Sequence, residues 1–201
     1  IGSGTENIDL DFAKSKNIKI ISTPEGNSNA VGEHAIGMIL SLMNKIPKSE
    51  KEISKGIWSR EPNRGNELMG KTIGLIGYGN TGKSFAKKLS GFNTKVIFFD
   101  LKSGLEDKYA NSATLEEIQK QSDIISLHTS LSKESIGLIN HKFISKCDKP
   151  FWLINTARGI CVNTSHLVKA LKEKKVLGAA LDVLEFEKSS FEKLSDRSNK
   201  D

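Results

Sequence analysis

Residues 77–84 read Gly-Tyr-Gly-Asn-Thr-Gly-Lys-Ser, an octet that satisfies two phosphate-binding patterns at once: G-x-G-x-x-G for a dinucleotide and G-x-x-x-x-G-K-[ST] for a nucleoside triphosphate. Both rest on the same physics, a glycine-rich turn that lets backbone N–H groups and a helix N-terminus approach a phosphate. They differ in the side chains. In a triphosphate site Lys83 reaches the β and γ phosphates and Ser84 holds magnesium; in a dinucleotide site both are ordinary residues of a first helical turn. Gly79 is required only by the dinucleotide pattern, where backbone passes against the pyrophosphate. The run Val96 to Asp100 ends in an acid 18 residues after Gly82. Beside an adenosine ribose such an acid accepts from the hydroxyls and repels a 2′-phosphate. Four apolar residues and an Asp also resemble the magnesium-binding strand of triphosphate hydrolases, so this acid serves either reading. Further on, Phe151 to Ile160 reads as a buried strand that delivers Arg158 at its carboxyl end, where open α/β sheets bind ligands. A planar guanidinium there suits a carboxylate bidentately.

The elements that must position these residues follow from periodicity. Short apolar runs at residues 72–76, 95–99, 123–127, 151–154 and 176–181 alternate with helical or loop segments, which predicts βαβ units and a parallel sheet with helices on both faces. After the glycine loop, Phe85, Ala86 and Leu89 mark the buried face of a helix. Thr114 and Glu117 form a capping-box signature, and Thr164 or Ser165 is the expected cap of the helix that buries Leu167, Val168 and Leu171. Ahead of this repeat, a strand is expected at residues 18–21. A helix follows over residues 31–46, whose stripe of Val31, Ala35, Met38, Ile39, Leu42, Met43 and Ile46 stops before Pro47. That stripe suits packing between domains or subunits, and ordinary core packing equally. Residues 48–70 read as a polar connection anchored by Trp58.

Composition bounds the rest. No apolar run approaches the roughly 18 residues that span a bilayer, and no basic-then-apolar signal opens the chain, so a cytoplasmic protein without membrane contact is expected. Cys147 and Cys161 have neither CxxC spacing nor enough partners for a metal cage, which leaves two reduced thiols, with Cys161 expected in the core. The net charge of +6 is spread along the chain rather than gathered in a stripe, so no nucleic-acid partner is expected. The chain opens abruptly at Ile1 without Met, as a piece cut from something longer would.

The set Gly77 to Gly82, Asp100, Ser126-Leu-His128, Asn155-Thr-Ala-Arg-Gly159 and Gly178 to Glu187 resembles the D-isomer-specific 2-hydroxyacid dehydrogenases, most closely the branch that oxidises 3-phospho-D-glycerate. The resemblance covers nearly the whole chain. It implies a Rossmann-type, doubly wound parallel sheet of the α/β class. Residues 1–25 would be a remnant of a substrate domain, 26–70 a crossover helix and connection, 71–187 the NAD-binding domain, and 188–201 the start of the return. NAD is the implied cofactor, held by Gly77, Gly79, Asn80, Thr81, Gly82 and Asp100, with Val31, His128, Thr129, Thr156 and Asp182 around it. Asp182 would meet the nicotinamide carboxamide. Arg158 would hold the carboxylate and C2 oxygen of a 2-hydroxy or 2-oxo acid, and Glu187 would pair with a catalytic histidine, with Glu185 read as solvated. A homodimer through the 31–46 helix is also implied.

One departure from the family pattern stands out. The family's general acid/base lies in a Pro-His motif after the acidic segment, whereas His34, His128, His141 and His166 all lie upstream, in other contexts. The polypeptide is therefore expected to bind NAD and to catalyse poorly or not at all by itself. Two competing classes are an NAD-binding interaction module of the corepressor kind and a P-loop phosphotransferase or NTPase. The second has no use for Arg158 or the Asp182 to Glu187 segment.

Overall fold

A computed structural model describes Gly4 and residues 8–186. Five of its six strands coincide with the apolar runs: β1 (Thr72–Ile76), β2 (Lys95–Phe99), β4 (Ile124–Leu127), β5 (Phe151–Asn155) and β6 (Val176–Leu181). The sixth, β3 (Asn111–Ser112), is a two-residue edge strand with no apolar signature. All pair in parallel, in the order β3-β2-β1-β4-β5-β6. β2 and β3 are added on one side of β1 and β4 to β6 on the other, which makes the gap between β1 and β4 the topological switch point where α/β sheets bind ligands.

Alternate residues of each strand feed two cores, as a pleated sheet buried on both faces requires. Ile73, Leu75, Phe98 and Ile154 face one layer, against α2 (Ser28–Met43) and α4 (Asn80–Leu89). Ile97, Ile125, Leu127, Phe151 and Leu153 face the other, against α5 (Leu115–Gln121), α6 (His141–Ser145) and α7 (Thr164–Lys172). The Thr114 capping box is present as expected. Both cysteines are buried and free.

Several expectations differ from the structure. Residues 18–21 form no strand; Ile18 and Ile21 are 56% and 74% exposed, because β-branched residues alone do not make a strand without a neighbour to pair with. A short helix, α1 (Leu10–Ser15), precedes them, capped by Asp9, whose Oδ1 accepts from the Phe12 N–H at 2.9 Å. The striped helix ends at Met43 and not at Ile46. Lys45 adopts a left-handed conformation, and Pro47 opens a new helix, α3 (Ile46–Ile53), since proline costs nothing in a first turn where its missing N–H has no acceptor. Within α2, Ala35, Ile39 and Met43 are buried against the sheet and α4, so this part of the stripe is core. Trp58 is 82% exposed, so it is not the buried anchor expected of it. The cap of α7 is Asn163, one residue before the two expected, with Oδ1 accepting from the His166 N–H at 3.0 Å.

Close contact between α2 and α4 depends on Gly32, where a Cβ would lie 2.6 Å from Ser84 Oγ and 3.1 Å from the Ser84 carbonyl carbon. Gly37, on the same helix, faces open space. Gly32→Ala should therefore cost about 1–3 kcal/mol through overpacking, whereas Gly37→Ala should gain about 0.5–1 kcal/mol of helix propensity. Urea unfolding midpoints of the two variants check both signs.

Candidate functional site

The glycine loop leaves β1 at its carboxyl end, and its three glycines answer three different constraints. Gly77 has φ +94°, and a Cβ there would lie 2.7 Å from the carbonyl carbon and oxygen of His128. At Gly82 a Cβ would strike the Gly77 carbonyl oxygen, so the turn closes on itself. Gly79 meets nothing within 4 Å. It is the N-cap of α4, whose first-turn amides have neither an intrahelical acceptor nor a side-chain cap. Asn80 and Thr81 supply the first of these amides. Open space over Gly79, beside donors at the positive end of a helix, is a cradle that fits a dinucleotide pyrophosphate.

The two residues that would make the octet a triphosphate site are turned to other tasks. Lys83 Nζ lies over the Tyr78 ring, 5.5 Å from its centroid. Ser84 faces Gly32 of α2 and so is spent on helix packing rather than on a metal ion. Asp100, at the end of β2, accepts from the Tyr78 N–H at Oδ2 (2.7 Å) and from the Lys102 N–H at Oδ1 (2.9 Å). The carboxylate is thereby fixed beside the glycine loop, where a ribose following the pyrophosphate would lie.

His128 follows β4, with its ring buried. Ser126 Oγ lies 2.9 Å from Nε2 and Thr156 Oγ1 3.4 Å from Nδ1, and the ring packs on Phe85 with centroids 5.2 Å apart. Its backbone supports Gly77. Burial pushes the imidazole down to about 4, so it is neutral at physiological pH. Thr129 Oγ1 is 3.8 Å from Cys161 Sγ, and Thr156 Oγ1 donates to the Leu127 carbonyl at 3.4 Å. Val31 sits in the first turn of α2.

A residue with no role assigned from sequence organises the far side of the site. Asn155, the last residue of β5, is fully buried. Its Oδ1 accepts from the Ala157 N–H (3.0 Å), its Nδ2 donates to the Arg158 carbonyl (3.0 Å), and its own carbonyl accepts from the Asp182 N–H (2.9 Å). One amide thus shapes the turn that presents Arg158 and ties it to the end of β6. A buried Asn closing an apolar strand was the signal available for it. Arg158 is half-buried, and its Nη1 donates to the Ala157 carbonyl at 2.9 Å. Gly159 leaves no room for a Cβ against the Leu184 carbonyl, so the arginine turn is pressed onto the acidic segment.

Asp182 is paired with His34, Nε2 to Oδ1 3.2 Å, which gives that histidine a partner the sequence did not suggest. Glu185 is not merely solvated: its Oε2 accepts from the Thr164 N–H at 2.6 Å, at the start of α7. Glu187 lies outside the described residues. His141 opens α6, and its ring faces that of His166 on α7, with centroids 6.2 Å apart. Gly77, Asp100, His128, Arg158 and Asp182 all stand at carboxyl ends of strands, on one edge of the sheet.

Because His128 is buried neutral, its folded pKa of about 4 lies below the ordinary 6.5. Between those values the unfolded chain takes up a proton that the folded protein does not. Stability should therefore fall as pH drops through that window, by up to about 1.4 kcal/mol per pH unit. Denaturant unfolding from pH 7 to pH 4 measures the slope, and His128→Asn should remove this part of it.

Comparison with known proteins agrees with this geometry. Residues 36–199 match the family described as D-isomer specific 2-hydroxyacid dehydrogenase, NAD binding domain. The chain is 39% identical over 198 residues to D-3-phosphoglycerate dehydrogenase of Bacillus subtilis, covering 97% of the chain and 38% of that protein. It is 41% identical over 192 residues to glyoxylate reductase of Thermofilum pendens, covering 92% of the chain and 57% of the relative. Among solved structures, D-lactate dehydrogenase from Aquifex aeolicus complexed with NAD and lactic acid superposes with a TM-score of 0.83 at 35% identity, covering 92% of this chain and 56% of that one. The chain spans less than two thirds of the length of each. It belongs to the D-isomer-specific 2-hydroxyacid dehydrogenases and carries that family's NAD-binding domain.

Proposed function

We propose that this chain forms the cofactor half of an NAD-dependent oxidoreductase of D-2-hydroxy acids, and that the whole protein oxidises 3-phospho-D-glycerate to 3-phosphohydroxypyruvate in serine biosynthesis. The observation that carries the reading is the Arg158 turn. Asn155 fixes it at the carboxyl end of β5, on the same sheet edge as the glycine loop. The substrate choice draws on the name of the Bacillus subtilis relative, and a glyoxylate or other 2-hydroxyacid reductase is the second reading, favoured by the Thermofilum pendens protein.

NAD, when bound, supplies the hydride acceptor. The first-turn amides of α4, from Asn80 to Gly82, bind the pyrophosphate, and the missing side chain of Gly79 lets it approach. Asp100 accepts from the ribose hydroxyls and disfavours a 2′-phosphate by charge repulsion. Val31, Thr129 and Thr156 would line the cofactor and Asp182 would accept from its carboxamide, while His128, neutral, backs the glycine loop. Arg158 clamps the substrate carboxylate and draws electron density from the C2 oxygen. Glu187 would pair with the general acid/base histidine, which would take the hydroxyl proton as the C2–H bond breaks. The four histidines of this chain have other surroundings: His34 pairs with Asp182, His128 is buried and neutral, and His141 faces His166.

Within this reading residues 71–187 are the cofactor domain, 26–70 the crossover, and 1–25 and 188–201 the two links to a substrate domain. We also propose a cytoplasmic homodimer through the region of α2 and its continuation. Exposed Ile46, Ile53 and Trp58 support the dimer, and the free thiols suit a reducing compartment. Among the described residues no helix is long and apolar enough to cross a membrane.

Calorimetric titration of the chain with NAD, NADP and magnesium-ATP tests the cofactor assignment. NAD should bind most tightly, and tight ATP binding without NAD binding would overturn it. In the parent protein, assayed with phosphoglycerate, glycerate, lactate and glyoxylate, Arg158→Lys should lower kcat/KM by about 10²–10³ on the preferred acid, since a point charge does not replace a bidentate fork. An unchanged kcat/KM would remove Arg158 from the substrate site.

A further inference from the structure

The glycine pattern leaves position 78 open, yet Tyr78 is fully buried and its contacts are specific. Its ring stacks on Phe98 of β2, centroids 3.9 Å apart and planes within 10°. Its N–H donates to Asp100 Oδ2 at 2.7 Å, and its hydroxyl donates to Asp107 Oδ1 at 2.9 Å. Asp107 Oδ1 also accepts from the Tyr109 N–H at 2.8 Å. One residue of the phosphate loop therefore grips both ends of the segment that follows β2. Of the residues between, 101–104 and 106 are exposed, Leu105 is half-buried against the core, and Gly104 turns with φ +71°. Burial and the Asp107 carboxylate hold the phenol well above its ordinary pKa, so it remains a donor across the physiological range.

This segment borders the place where the ribose 2′ position would lie, and it carries charges of both signs. Asp100 would repel a 2′-phosphate, while Lys102 and Lys108 would attract one. Lys108 is parked over the Tyr109 ring, Nζ 5.1 Å from the centroid. With both ends gripped, the acid faces the ribose and the lysines stay with the segment. Without the Asp107 bond the stretch would be held only by Asp100 and by Leu105 on the core, which would loosen Lys102 before that point and Lys108 beyond it toward a 2′-phosphate.

We propose that Tyr78 is a positioning residue for cofactor choice, tying Asp100 and Asp107 to the phosphate loop so that the segment between them excludes NADP. The proposal rests on the reading of Asp100 as the ribose acid. Neither a phenol nor an acid is demanded at positions 78 and 107 by phosphate binding itself, so the clamp adds selectivity to the site rather than affinity for the pyrophosphate.

The test is the ratio of NADP to NAD dissociation constants, measured by calorimetry on the chain and its variants. Tyr78→Phe keeps the ring stack and removes one hydrogen bond. It should cut the ratio about fivefold, the factor for losing one such bond. Asp107→Ala, at an exposed position that does not endanger folding, should do the same, whereas Asp107→Asn keeps an acceptor and should stay within about twofold of the parent ratio. Tyr78→Phe affecting both dinucleotides equally, or neither, would overturn the clamp. So would a fall in Asp107→Asn as large as that in Asp107→Ala, which would assign the effect to charge alone. Asp100→Ser separates the two levels of inference. If it collapses the ratio while Tyr78→Phe does not, only the clamp fails; if it leaves the ratio unchanged, the ribose assignment fails and the clamp with it.

Discussion

Lack of space at the carboxyl end of β1 governs this molecule. The chain must turn there against the backbone of His128, in a left-handed conformation, and immediately start a helix whose third residue lies against the Gly77 carbonyl. Only residues without Cβ satisfy both contacts. The turn sets the axis of α4, and α4 in turn sets where α2 can lie, through Gly32 and Ser84. The open ground over Gly79 is a product of the same turn. Stability and binding capacity therefore share one origin, since the backbone crowding that fixes the loop leaves its amides pointing at unfilled space.

Around that turn the site is assembled from strand ends, each held by a different local device. Asp100 is fixed by backbone donors, His128 by a buried hydroxyl, and the Arg158 turn by the side chain of Asn155. These are short-range bonds made by residues at the ends of rigid strands, so the sheet supplies the long-range geometry and the bonds only trim it. His128 illustrates the division of labour. A histidine on a ligand-binding edge suggests proton chemistry, but burial keeps it neutral and its backbone is part of the wall behind the glycine loop.

Much of this was legible in the sequence, and the reasons for the gaps are physical. Strands buried on both faces announce themselves as apolar runs, which is why β1, β2 and β6 were located to the residue. The edge strand β3 has no such run because two residues at an edge bury nothing. Residues 18–21 misled because β-branched composition reports a preference and not a partner. Pro47 reads as a stop, although proline is as much at home in a first helical turn, and only the left-handed backbone of Lys45 shows which applies. The loop glycines and the place of Arg158 after a strand end are legible because pattern and strand position agree. The His34 to Asp182 pair and the Glu185 contact with α7 are not, since each joins residues remote in sequence through side chains that carry no periodic signal; Asn155, whose side chain bonds only two and three residues ahead, shows itself only as a polar residue closing an apolar run.

The contact between Gly159 and Leu184 gives the architecture a mechanical character. Two stretches that look like separate sequence signatures, the arginine turn and the acidic run, are interlocked at a point where neither backbone can yield. A side chain at position 159 would push the Arg158 turn and the segment after β6 apart, while the turn after β1 would be untouched. The edge of the sheet is built in two parts: a glycine turn on β1, and an arginine turn on β5 that meets the segment after β6 across a single missing methyl group.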